Sequence, residues 1–188
     1  MNLEDLNAEI CSCTRCPELV ANRMNIVPGA GNPEAGIMFV GEAPGRDEDI
    51  QGLPFVGQAG KLLDSLLEHA GFNREQVFIA NCLKCRPPEN RDPLQVELDN
   101  CHEYLLAQIA LVEPVIIATL GNFGLKTLVT ESHTIGQVHG TPVKKSGVLF
   151  FPLYHPAAAL RNGSLREVLM NDFIKLRKLA AREGIQVG

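Results

Sequence analysis

The chain has 188 residues, 45% of them hydrophobic, and a formal net charge of −5. That is enough apolar chain to bury one full core, so a single domain over residues 1–188 is expected. A negative total excludes a globally basic nucleic-acid binder but leaves room for a local basic surface, for which Lys84, Arg86, Arg91, Arg161 and Arg166 are the candidates.

At the N-terminus, MNLEDLNAEI is acidic where a signal peptide needs a basic start and an apolar run. No stretch reaches about 18 uninterrupted apolar residues, which argues against a membrane span. A cytoplasmic protein with no membrane partner is the expectation. Six cysteines follow, Cys11, Cys13, Cys16, Cys82, Cys85 and Cys101, too few for a disulfide-dense secreted scaffold. Close spacing in a cytoplasmic chain points to metal binding. Cys13 and Cys16 form a CxxC, and Cys85 and Cys101 can complete a four-thiolate site. Cys82 with Cys85 makes a rival CxxC, and Cys11 a further competitor. Four thiolates suit zinc or an iron–sulfur cluster; spacing alone does not choose between them, and bare chemistry makes zinc the default.

The first predicted strand is GIMFV (36–40), a continuous apolar run of the kind covered on both faces of a sheet. It runs into Gly41-Glu42-Ala43-Pro44-Gly45. This loop is neither a Walker loop nor a dinucleotide fingerprint, because it lacks both spacings. Its glycines let backbone approach a flat ligand. GLPFVGQAG (52–60) then sets Phe55 between glycines, where it can serve as core or as a stacking platform. KLLDSLLEHAG (61–71) reads as an amphipathic helix stopped by Gly71.

VFIAN (77–81) is the second strand, ending in Asn81, whose carboxamide offers a donor and an acceptor side by side. RPPENRDP (86–93) is a proline-punctuated loop, and 94–112 a long amphipathic helix. PVIIATLG (114–121) is the third strand and 122–131 a weaker helix. VLFFPLYHP (148–156) is the fourth strand, delivering His155-Pro156, and 164–183 forms the terminal helix. Strands alternating with helices predict an α/β layered domain around a mostly parallel sheet of four strands. In such a sheet ligands bind beyond the carboxyl ends of the strands. Glu42, Asn81 and His155 therefore converge on one edge, in a pocket suited to a planar heterocycle.

Five segments in order carry a resemblance: CTRCPELVANR, GEAPGRDED…GLPFVGQAGKLL, NCLKCRPPENRDP, C…YL and YHPAAALRN. Together they resemble the family 4 uracil-DNA glycosylases over residues 13–162, about four fifths of the chain. The resemblance implies a three-layer αβα sandwich, a [4Fe–4S] cluster of structural role, and hydrolysis of the bond between uracil and deoxyribose in DNA. It assigns Cys13, Cys16, Cys85 and Cys101 as cluster ligands and moves the choice from zinc to iron–sulfur. Cys82 falls where relatives usually carry an aliphatic residue, and so reads as a small buried hydrophobe. Gly41, Glu42 and Ala43 would line the pocket around a flipped uracil, Phe55 would stack on it, Asn81 would read its edge and His155 would face O2. Family 1 relatives carry an aspartate where Ala43 stands, which leaves Glu42 or Asn81 to orient water. Leu160-Arg161-Asn162 would fill the space vacated by the nucleotide. The expected partner is uracil-containing DNA, acted on by a monomer. Relatives that trap DNA covalently carry an inserted KRRIH-type loop, which 86–93 lacks. The competing reading is a non-catalytic, metal-stabilised nucleotide-binding module.

Overall fold

A computed structural model describes residues 2–186. The chain opens with α1 (Leu3–Cys11), started by a reciprocal cap in which Asn2 and Asp5 exchange backbone and side-chain hydrogen bonds. Next come α2 (Pro17–Asn22), β1 (Ala30–Gly31), β2 (Ile37–Gly41), α3 (Arg46–Gln51) and α4 (Gln58–His69). β3 (Phe78–Asn81) leads through the 86–93 loop into α5 (Gln95–Val112), then β4 (Ile116–Leu120), α6 (Gly121–Leu128) and α7 (Ile135–Val138). The chain closes with β5 (Val143–Lys145), β6 (Val148–Leu153), α8 (Pro156–Arg161) and α9 (Ser164–Arg182).

The strands form one sheet in the order β1-β3-β2-β4-β6-β5. The four expected strands make its parallel centre, β3-β2-β4-β6. The expectation of four strands in all is corrected, because the sheet has six among the described residues. β1 and β5 pair antiparallel at its two edges. They are two and three residues long and mostly polar or small, too short to leave a periodic signal.

Strand periodicity sorts the core into two layers. Ile37, Phe39, Ile79, Ile116, Ala118 and Phe151 face α4 and α9 on one side. Met38, Val40, Phe78, Ala80, Ile117 and Phe150 face α5 and α6 on the other. α9 presents Leu169, Phe173, Leu176 and Ala180 at helical spacing, and the Phe173 ring stacks on Phe39 at 5.9 Å. A third cluster lies off the sheet, where Leu6, Ile10 and Leu19 pack with Leu83, Cys85, Cys101 and Tyr104. Among the described residues no helix is long and apolar enough to cross a membrane.

The chain passes from β2 outward to β3, then returns to the other side of β2 for β4. This reversal opens a crevice at the carboxyl end of β2, the usual ligand position in open α/β sheets. The Gly41–Gly45 loop stands there.

Candidate active site

A cavity of about 250 Å³ occupies that crevice. Glu42, Ala43, Phe55, Asn81 and His155 all line it, together with Glu48, Asn90, Arg91 and Arg161. Gly41, the other residue expected in the wall, is not among the lining residues. It backs them: a Cβ there would lie 2.4 Å from Asn81 Oδ1 and 2.7 Å from Phe55 Cζ. Any side chain at position 41 would displace both cavity residues.

Asn81 ends β3, paired with Gly41 across the sheet. Its side chain is 2% exposed, and Oδ1 has no hydrogen-bond partner among the described residues. Buried polar atoms are normally paired, so an unpaired acceptor in a cavity wall is open to a donor from whatever fills the cavity. The strand pairing continues past β2 and β3, with Cys82 N–H donating to Gly41 O at 2.9 Å and Leu83 N–H to Glu42 O at 3.0 Å. The backbones of Glu42 and Asn81 are therefore fixed to one another.

Phe55 is 6% exposed and sits at φ 51°, a left-handed conformation that costs a non-glycine residue about 1–3 kcal/mol. Two features hold it there. Glu48 accepts from Gly45, Val56 and Gly57 N–H groups at 3.1, 2.9 and 2.8 Å, binding the Gly-Pro-Gly loop to the phenylalanine loop. Gly60 lets the Phe55 carbonyl approach to within 2.0 Å of where a Cβ would stand. Glu48 is a site residue that sequence reasoning missed. Its signal was position: a glutamate three residues after the helix-starting Gly45.

His155 precedes α8 and caps it, its Nδ1 accepting the Ala157 N–H at 3.1 Å. That bond fixes the tautomer, leaving the proton on Nε2 as a donor. Burial, with the nearby Arg161 charge, pushes its pKa down to about 4, so the ring is neutral at physiological pH. The Phe55 ring stacks beside it at 5.6 Å. Burial pushes Glu42 up to about 7, helped by Asp92 and opposed by Arg161.

The basic candidates separate. Lys84 is 1% exposed and cannot touch a phosphate, which corrects its place in the expected basic surface. A lysine beside Arg86 in a proline-rich motif reads as surface, and the burial comes from tertiary packing. Arg91 is engaged with Glu97 through two bonds and with Glu18. Arg161 and Arg166 are exposed.

On the far side of the Asn81 turn, Cys13, Cys16, Cys85 and Cys101 share the third cluster. Cys82 instead lies in the sheet core with Leu105 and Leu125, and Cys11 is exposed. Arg15 and Asn100 lace the cysteine loop to α5: Arg15 donates to the Asn100 carbonyl, and Asn100 Nδ2 returns to the Arg15 carbonyl and to Cys16 Sγ. Arg23 donates to Cys85 Sγ at 3.0 Å and to the Cys13 carbonyl at 2.7 Å. Burial pushes the Cys85 thiol up to about 11 and that of Cys101 also up, while Arg23 and Lys84 respectively oppose the rise. Among the described residues no group of three or more His, Cys, Asp or Glu side chains is set to hold a metal ion. The donor set is four sulfurs, one of them already bonded by the Arg23 guanidinium, a chemistry that fits an anionic thiolate-bound group.

Residues 28–176 match the family described as the uracil DNA glycosylase superfamily, and the chain belongs to that superfamily. Within it, the chain is 47% identical over 188 residues to the Type-4 uracil-DNA glycosylase of Sulfurisphaera tokodaii, covering 95% of this chain and 85% of that protein. It is also similar to the Type-4 uracil-DNA glycosylases of Archaeoglobus fulgidus, at 45% identity over 97% of this chain and 95% of that one, and of Thermotoga maritima, at 42% over 97% and 96%.

Proposed function

We propose that this protein removes uracil from DNA by hydrolysing the N-glycosidic bond, leaving free uracil and an abasic site. The observation that carries the reading is the pairing of an orphan buried acceptor, Asn81 Oδ1, with a neutral imidazole donor, His155 Nε2–H, in one cavity. Asn81 accepts from uracil N3–H and donates through Nδ2 to O4, while Phe55 stacks on the base. The nucleotide must leave the duplex stack to reach them, at a cost of a few kcal/mol. Exposed Leu160 and Arg161, at the end of α8, fill the gap.

As the bond between C1′ and N1 lengthens, its electron pair moves onto uracil and the sugar becomes oxocarbenium-like. His155 Nε2–H donates to the charge growing on O2, an electrostatic role. A cationic imidazole would add charge, but burial holds the ring neutral. Water then adds to C1′, and the ionised Glu42 carboxylate orients it and takes its proton. Uracil leaves as the anion and is protonated in solution.

Cys13, Cys16, Cys85 and Cys101 hold a [4Fe–4S] cluster, which when bound ties the N-terminal segment to α5 and the turn after β3. Its thiols must lose protons on loading. Elemental analysis should find iron, and Cys13→Ser or Cys101→Ser should lose it, whereas Cys82→Ala should keep it. Stoichiometric zinc without iron in anaerobically purified protein rejects the assignment.

A labelled oligonucleotide with one uracil, incubated with the protein and treated with alkali, tests the activity. Strand cleavage at that position is expected. Binding without cleavage favours the nucleotide-binding module instead.

A further inference from the structure

Lys84 has no access to solvent, yet nothing in the proposed chemistry uses it. Its Nζ donates to the backbone carbonyl of Asn81 at 2.8 Å and to Gln108 Oε1 at 2.7 Å. Gln108, fully buried on α5, donates in turn to the Pro28 carbonyl at 2.7 Å. A desolvated ammonium is expensive, and here it faces two neutral acceptors with no carboxylate bonded to it among the described residues. Such a group persists where its directional bonds are needed.

The local backbone shows what they hold. Beyond Asn81 the chain turns away from the sheet, with Cys82 and Leu83 N–H groups held by Gly41 and Glu42. The Asn81 carbonyl is satisfied by Lys84 Nζ. Lys84 is also followed directly by Cys85, a member of the thiol cluster. One residue therefore bonds to the peptide of Asn81 and to α5, and adjoins the thiol cluster in the chain.

We propose that Lys84 is a positioning residue for base recognition: its ammonium clamps the Asn81 carbonyl, fixes the direction of the Asn81 carboxamide, and ties that direction to α5 through Gln108. The inference rests on the reading of Asn81 as the group that meets the base. A neutral side chain of similar length would strand both the Asn81 carbonyl and Gln108 Oε1, and the last peptide of β3 would be free to tilt. Misplacement of a reacting group by about 1 Å can lower a rate by on the order of 10²-fold.

The test compares Lys84→Met, Gln108→Leu and Gln108→Glu with the wild-type protein. Four quantities are read on each: iron content, melting temperature, affinity for free uracil, and single-turnover release of uracil from DNA. Lys84→Met should keep its iron while losing uracil affinity and single-turnover rate together, by up to on the order of 10²-fold. Gln108→Leu should show a smaller loss in the same direction, and Gln108→Glu, which restores an acceptor for the ammonium, should recover both. A lower melting temperature with unchanged uracil affinity and rate in Lys84→Met would reduce the residue to a packing role and overturn the proposal. If Lys84→Met does not fold, the Gln108 pair decides: uracil affinity equal to wild type in Gln108→Leu overturns it. A wild-type protein that releases no uracil at all defeats the reading of the site, an outcome distinct from active wild type with indifferent variants.

Discussion

Two imidazoles in this protein sit under opposite electrostatics. His139, after α7, meets Asp172 through Nδ1 at 2.6 Å, and Asp172 also receives Lys175 Nζ at 2.7 Å. The ring of Tyr154 tilts against His139 at 4.7 Å. One residue further along, His155 has a backbone N–H on Nδ1 and no carboxylate bonded to it among the described residues. The first cluster spends its polar groups on each other and holds α9 to the loop after α7. The second leaves an imidazole neutral and an amide oxygen unpaired beside a strained phenylalanine. Pairing serves stability, and withheld pairing serves chemistry.

The largest effect should come from filling the orphan position with the wrong chemistry. Asn81→Asp replaces the amide donor with a second acceptor, which suits the amino group of cytosine. Uracil excision should fall by as much as about 10⁴-fold, with slow cytosine release appearing. Thymine should stay excluded, because its hydrogen-bonding edge matches that of uracil and only its C5 methyl differs. Oligonucleotides carrying each base check this, and full uracil activity in the variant would remove Asn81 as the edge reader.

His155→Ala should slow single-turnover cleavage by on the order of 10²–10³-fold. DNA affinity should hardly move, because in the proposed role the donor acts on charge that develops only in the transition state. An unaltered rate would leave His155 as the cap of α8 and nothing more.

Glu42 sharpens the contrast through pH. With its pKa pushed up to about 7 from the ordinary carboxylate range, the carboxylate proposed to orient water is lost as pH falls below 7. The single-turnover rate should climb about tenfold per pH unit below that value and flatten above it. The linkage to stability has the opposite sign. A carboxyl whose pKa is raised by folding favours the fold when protonated, so stability falls as pH rises from about 4.5 to about 7. Glu42→Gln should therefore flatten the rate profile and melt above wild type at pH 8. A wild-type rate constant across pH 5–9 would reject the role.

The smallest effect on rate belongs to His139→Ala. It removes one of the partners of a buried carboxylate and should lower stability by about 1–3 kcal/mol. Uracil excision by the folded protein should stay unchanged, and a loss comparable to that of His155→Ala would erase the distinction between the two clusters.

The central strands were legible because each is a nearly continuous apolar run, and their ends placed Glu42, Asn81 and His155 together. The resemblance read from five ordered segments agrees with the superfamily match and the Type-4 relatives. Sequence reasoning fell short where tertiary contacts decide the outcome. Nothing in CLKC tells that its lysine turns inward to a carbonyl and a glutamine 24 residues away. Glu48 is one of several acidic residues in a row, and only the folded loop shows it accepting three N–H groups. Gly41 reads as a turn glycine, yet its function is to leave room for Asn81 and Phe55.

The two strands that sequence reasoning overlooked also form both rims of the sheet. A parallel sheet left bare at its rims would offer rows of unpaired backbone groups to any extended chain nearby. β1 ends one rim after two residues, and β5 ends the other with the exposed side chains of Lys144 and Lys145. Short rims of this kind, one of them carrying lysines, disfavour strand-to-strand growth and leave the apolar centre that shapes the cavity enclosed between them.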